Sequence, residues 1–223
     1  MADSWIVEHR RGTAQELHDL DPGDRPAPTV WLCEPLRPAL VLGSAQRTLV
    51  LEPASLAAAG LEVARRRSGG GVVLVHPEHT VWIDLVIPVG HLLWVDDVGQ
   101  AMEWVGDTWA RALASLGVDS TVHRGALDQR RWGRVVCVAG LGPGEVVDST
   151  GRKLVGISQR RTRHFARFQT VVSLVEPEVD LSSVLGLSDR DAASLRADLT
   201  RCTATVPFAR SAVTDALITA LPR

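Results

Sequence analysis

Apolar and polar positions alternate most regularly from Thr80 to Ile87. Val81, Ile83, Leu85 and Ile87 fall on one side, Trp82, Asp84 and Val86 on the other, and a period of two predicts a strand. A second rhythm follows at once. Val98, Met102, Val105, Trp109, Ala112 and Leu116 recur every three or four residues, which predicts a helix from about Asp97 to Leu116 with one apolar stripe. Gly117 is placed to end it. Shorter apolar runs predict strands at Thr29–Trp31, Ala39–Leu42, Glu62–Arg66, Val72–Val75, Thr121–His123, Val135–Val138, Glu145–Val147, Lys153–Ile157 and Phe168–Ser173. Pro53 ahead of ASLAAA predicts a helix with Pro in its first turn, ending at Gly60. Asp148, Ser149, Thr150 and Gly151 are turn residues, so Lys153 begins the return strand of a hairpin. The tail from Leu185 is helical in character. Residues 1–28 read as a polar lead-in with a short helix near Thr13–Asp19, and 29–223 as one further unit. The order of elements predicts a single α+β domain, a largely antiparallel mixed sheet flanked by helices.

Composition narrows the function more than the fold. A chain of 223 residues buries roughly 70% of its unfolded surface and needs no staple. The formal net charge of −2 gives no electrostatic case for nucleic acid or an anionic membrane as partner. No stretch approaches the ~20 apolar residues of a membrane span, and MADSWIVEHRRGTAQELHD lacks the apolar run of a signal peptide, so a cytoplasmic location is expected. Cys33, Cys137 and Cys202 have neither disulfide nor metal-ligand spacing. No metal site is expected. Among the 24 basic residues 23 are Arg and one is Lys, Lys153. Arg is a planar fork and Lys a point charge on a thin stem, so a lone Lys is either a survivor of drift or a group that needed that shape.

Two segments carry candidate chemistry. RRRSGGG, Arg65 to Gly71, removes every Cβ over three residues and exposes backbone N–H groups between two strands, with arginines beside it able to pair with an anion. A flexible turn on a charged strand has the same composition. In GRKLVGISQRR, Gly151 to Arg161, Lys153 with Gly156 three residues on is placed to hold a carbonyl or phosphate oxygen of an activated acyl group.

PALVLGSAQ (Pro38–Gln46), ARRRSGGGVV (Ala64–Val73) and GRKLVGISQRR, in that order, resemble three motifs of the lipoate–protein ligase and octanoyltransferase family, which shares its fold with biotin–protein ligases. The resemblance implies an enzyme that attaches a lipoyl or octanoyl group to a lysine of a lipoyl-domain or H-protein-type acceptor. It implies lipoate or octanoate as substrate, with ATP and Mg if the chain is a ligase, or an acyl carrier protein as donor if it is a transferase. By the same resemblance Lys153 contacts the acyl carbonyl and the activating group, and Arg66, Ser68, Gly69, Gly70 and Gly71 line the acyl tunnel. Where family members carry His and then Asp after the glycines, this chain has Val75 and His76, and a frequent Asn is His79. RVVCVAG (Arg134–Gly140) replaces an Asn-Asp pair common in the ATP-using ligases, and no C-terminal accessory domain is expected. These departures bear on the adenylating step rather than on the fold. Cys137, with Glu145 between it and Lys153, resembles the branch that uses a cysteine as acyl-thioester nucleophile. A lone Cys in an apolar strand is otherwise a small core residue. A non-catalytic acyl- or carrier-binding relative is the third reading. Arg160, Arg161, Arg163 and Arg167 read as either a solvated face or a dock for an acidic carrier domain.

Overall fold

The computed structural model describes residues 4–24 and 26–222. Seven strands, β1 (Ile6–Gly12), β2 (Thr29–Pro35), β6 (Thr80–Pro88), β7 (Ser120–Val122), β8 (Val146–Asp148), β9 (Lys153–Arg161) and β10 (Phe165–Ser173), form one sheet in the order β1-β2-β6-β10-β9-β8-β7. Only the β1–β2 pairing in it is parallel. Strands β3 (Ala39–Leu42), β4 (Glu62–Arg65) and β5 (Val73–Val75) form a second sheet, with β3 in the middle. The helices are α1 (Ala14–Asp19), α2 (Pro53–Ala58), α3 (Glu103–Ser115), α4 (Leu181–Val184), α5 (Asp189–Cys202) and α6 (Arg210–Ala220). The α+β expectation holds, with two sheets where the sequence suggested one.

The period of two in β6 sorts its side chains into two cores. Val81, Ile83, Leu85 and Ile87 pack with Val105, Trp109 and Leu113 of α3 and with Val213 and Leu217 of α6. Trp82 and Val86 face the other way, against Ala14 and Leu17 of α1 and Ala39 and Val41 of β3. Strand β3 repeats the device: Leu40 and Leu42 turn to a third core with Val184 and Leu195. The small sheet therefore lies sandwiched between the large sheet and α4–α5.

At the centre of the large sheet sits a charge pair. Arg167 on β10 and Asp84 on β6 meet at 2.5 Å, both essentially without solvent exposure. Burial pushes the Asp84 carboxyl up, while Arg167 and the indole N–H of Trp82 pull it back. The guanidinium also donates to the carbonyls of Leu17, His18 and Leu20, the open end of α1, and lies over the Trp31 ring.

Four expectations need correction. Residues 6–12, read as polar lead-in, are edge strand β1; its Glu8 and Arg10 mask the pattern because one face meets solvent. Val98 is not on the α3 stripe but 52% exposed, because Asp97 accepts from Gln100 N and starts a short turn, Gln100–Met102, before the helix begins. Residues 135–138 are not a strand: Val136 bridges Val72 alone, and the chain then coils into a single turn, Cys137–Ala139. Arg167 is no part of a basic surface, and Arg161 lies over Trp94 and donates to Val95 and Asp96. Alternation along a strand sends such arginines to different faces. Among the described residues no helix is long and apolar enough to cross a membrane.

Removing one member of the central pair leaves the other buried and unpaired. Asp84→Ala is expected to cost about 3–5 kcal/mol in urea unfolding, and Asp84→Leu with Arg167→Met distinctly less than that.

Candidate active site

Three hydrogen bonds turn the glycine segment into a cradle. Arg66 is buried and folds back, its Nε and Nη2 donating to Gly69 O at 3.1 and 2.9 Å and its Nη2 to Gly71 O at 2.8 Å. With the carbonyls held inward, no main-chain partner among the described residues takes the N–H groups of Gly69, Gly70 and Gly71. Gly70 sits at φ +98, open only to glycine. Gly71 admits no side chain because a Cβ there would stand 2.7 Å from Val135 O. That close approach brings Cys137 to the loop: a Cβ on Gly70 would lie 2.8 Å from Arg66 Nη2 and 3.7 Å from Cys137 Sγ. Burial lowers the Arg66 pKa, with Cys137 and Glu145 acting against that shift.

Lys153 enters from the β8–β9 hairpin. Asp148 accepts from Thr150 N and Arg152 N, and Gly151 takes the left-handed position, so the expected turn forms. The Lys153 side chain is buried. Its Nζ lies 2.6 Å from Glu145 Oε2 and donates to Cys137 O at 2.9 Å. Glu145 is itself pinned by Gly142 N at 2.7 Å and Ile157 N at 3.2 Å. An ammonium has three N–H donors; two are engaged here and one remains. Gly156 stands alongside, where a Cβ would lie 3.7 Å from Glu145 Oε1.

These residues form a wall between two spaces. On one side is a mostly apolar cavity of about 100 Å³, bounded by Val41, Val75, Trp82, Leu154 and Val171. On the other is an open cleft of about 610 Å³ that includes Gln46, Gly69, Gly70, Gly71, Arg134 and Gly142. Cys137, Lys153, Ile157 and Ser158 line both. Of the residues singled out in the sequence, Lys153, Cys137, Arg66, Gly69, Gly70, Gly71 and Gly156 thus converge. Ser68 lies just behind, buried against Ser158 and Gln169. His76 and His79 do not join them; their rings stack 3.9 Å apart beside a different cavity. Cys33 and Cys202 are buried elsewhere in the packing. Among the described residues no group of three His, Cys, Asp or Glu side chains is arranged to hold a metal.

Glu145 was legible only as an acid between the two reactive candidates, although an acid at the head of an apolar strand is itself a sign of a buried partner. His18 was missed. It is buried on α1, lines the apolar cavity and meets Gln169 Nε2 through Nδ1 at 2.9 Å. Burial, with Arg167 and Arg66 nearby, pushes its pKa down to about 3.

Comparison with known proteins gives the family and the fold. Residues 10–220 match the model of the lipoyl protein ligase A/B catalytic domain, and the chain belongs to that family. A comparison with curated proteins gives no match. Among solved structures, the bi-partite lipoate protein ligase of Thermoplasma acidophilum, described with its E2 lipoyl domain, aligns with TM-score 0.72 at 17% identity, over 99% of this chain and 82% of that one. A putative lipoate protein ligase of the same organism with bound lipoic acid aligns with TM-score 0.70 at 15% identity, over 99% and 84%. A lipoate-protein ligase A bound with ATP gives 0.72 at 15%, also over 99% and 84%. At these identities the likeness is one of fold.

Two outcomes follow from the buried groups. Glu145→Ala strands the Lys153 ammonium and is expected to cost about 3 kcal/mol or more in urea unfolding, whereas Arg152→Ala on the exposed turn costs under about 1 kcal/mol. Because the folded His18 resists protonation, the unfolded chain alone takes up a proton between about pH 6.5 and pH 3. Stability should therefore fall as pH drops through that window, with His18 contributing a slope approaching about 1.4 kcal/mol per pH unit. His18→Leu should remove that contribution.

Proposed function

We propose that the chain transfers a lipoyl or octanoyl group to the lysine amine of a lipoyl-domain or H-protein-type acceptor, by way of a thioester on Cys137. The observation that carries this reading is the shared wall: a thiol, a free ammonium N–H and bare glycine N–H groups meet between an apolar slot and an open cleft. The acyl chain lies in the slot, its carbonyl at the wall. The Cys137 thiolate attacks that carbonyl of a carrier thioester, an S–C bond forms, and the carrier thiolate leaves. Negative charge on the tetrahedral oxygen is met by the third Lys153 donor and the glycine N–H groups. The acceptor amine then enters from the cleft. A C–N bond forms, Cys137 departs as thiolate, and the amine proton is released to that thiolate or to solvent.

Arg66 keeps a positive charge beside the thiolate in each half. Glu145 neutralises Lys153 and fixes its direction, so the ammonium acts as a positioned donor rather than as a free charge. A carrier thioester already holds an activated acyl group, so this route requires no nucleotide.

One observation favours a second reading, ligation of free lipoate or octanoate with ATP. The cleft beside Lys153 is roomy, and its basic groups Arg134 and Lys153, with the glycine N–H groups, suit a phosphate chain in sign. A ligase of similar fold is described bound with ATP.

Incubation with octanoyl carrier thioester, followed by mass analysis, should reveal a hydroxylamine-labile octanoyl adduct on the Cys137 peptide. Cys137→Ala should abolish it and reduce amide transfer about a thousandfold or more, and Lys153→Ala should slow transfer and also lower stability, because it leaves Glu145 buried without its partner. A Cys137→Ala protein that ligates octanoate fully with ATP establishes the second reading instead. No turnover from any donor to a lipoyl domain makes the chain a binding relative.

A further inference from the structure

Residues 44–48 form a loop after β3, and within it Gln46 alone is not exposed but turns inward to line the open cleft. Its side-chain amide bonds to backbone on two sides. Oε1 accepts from Gly43 N at 3.0 Å, and Nε2 donates to Val135 O at 2.9 Å and to Arg134 O at 3.3 Å. Both Nε2 protons are thus used, and only this orientation of the amide sets donors against acceptors. One side chain therefore joins two segments far apart in the chain, the loop after β3 and the stretch that runs into Cys137.

The main chain at Cys137 is bonded to the glycine segment through a single residue. Val72 N donates to Val135 O at 2.7 Å, and Cys137 N donates to Val72 O at 3.0 Å. Two bonds to one residue resist sliding but leave a hinge about it. Gln46 supplies a third point, on the same Val135 carbonyl, and from a loop that itself abuts the glycines: a Cβ on Gly43 would collide with Gly70 O, and Ser44 N donates to Ser68 O at 3.0 Å. The thiol-bearing turn is thus held to the glycine segment from two directions. Thioester formation needs that constraint, because the sulfur must reach the acyl carbon while the acyl oxygen falls among the glycine N–H groups. We propose that Gln46 is a positioning residue for acyl transfer: its amide brackets the Cys137 turn against the glycine loop, so that thiol and N–H groups meet at one carbonyl. The inference rests on the acyl-transfer reading above and adds to it a residue that acts through the backbone rather than on the acyl group.

The test compares two reactions of the same sulfur. Gln46→Met keeps the bulk of the side chain and removes the amide. In single turnover with octanoyl carrier thioester, octanoylation of Cys137 should slow about a hundredfold at saturating donor. The donor concentration for half-saturation should not change, because Gln46 takes no part in the lining of the apolar slot. Iodoacetamide loses iodide to the thiolate and builds no oxyanion, so alkylation of Cys137, read by mass on its peptide, should keep the wild-type rate. Cys33 and Cys202, both buried, should stay unlabelled and so report an intact fold. Gln46→Glu keeps an acceptor for Gly43 N but loses both donors, and should octanoylate as slowly as Gln46→Met. Octanoylation at the wild-type rate in either variant overturns the inference. So does alkylation that slows in step with octanoylation, since the amide then acts on the thiol itself. In both cases acyl transfer by the wild-type protein is intact. Absence of any Cys137 adduct in the wild-type protein, in contrast, overturns the acyl-transfer reading and this inference with it.

Discussion

The buried contact between Arg167 and Asp84 governs where everything near the site can be. It joins two neighbouring strands through their side chains, and its remaining donors close the carbonyl end of α1. A helix of six residues has little stability of its own. Fixed at one end by this guanidinium and at the other by the capping pair Thr13 and Glu16, it becomes a rigid piece of the sheet. From α1, Gln15 reaches across to both backbone groups of Arg65, as a neighbouring strand would. The next residue is Arg66, which shapes the glycine loop. Position is thus handed from a pair in the sheet, through a short helix, to main-chain atoms that line the open cleft.

The ammonium of Lys153 shows what a fixed partner does to a charge. In water an ammonium rotates and is screened; here two of its protons have assigned acceptors, and the third has one remaining direction. Glu145 is held just as firmly, by two backbone N–H groups. The pair is nearly neutral as a unit, which lowers the cost of burial, and Arg66 supplies the excess positive charge of the site.

Much of this was legible in the sequence, for identifiable reasons. The two-residue rhythm from Val81 to Ile87 named a strand, and the structure shows that both of its faces are covered, which is why Trp82 and Val86 could be as apolar as their neighbours. The turn at Asp148–Gly151 was readable because its chemistry is local. So were helix α2, between Pro53 and Gly60, and the end of α3 at Gly117. Strand β1 was not: it lies at an edge, and a half-wet strand with Glu8, His9 and Arg10 has no apolar signature. Residues 135–138 misled because valines there are buried as a bridge and a turn, against glycines whose lack of side chain permits the approach.

The candidate site divides the same way. Lys153 was conspicuous as the one lysine, and Arg66 with its glycines by composition. Arg167 was grouped with a surface run because sequence adjacency hides the alternation of a strand. Glu145 and His18 depend on partners far along the chain, and a long-range pair leaves little trace at either residue alone.

Helix α5 has a further significance through what it touches. Its side chains back the turn that bears Cys137: Leu195 packs with Val136 and Ala139, and Ser194 accepts from the indole of Trp132. Where it ends, Thr203 and Ala204 join the main chain of Lys153. One rod therefore underpins both the thiol and the ammonium. Tilting it would move the two together and leave their mutual spacing unchanged.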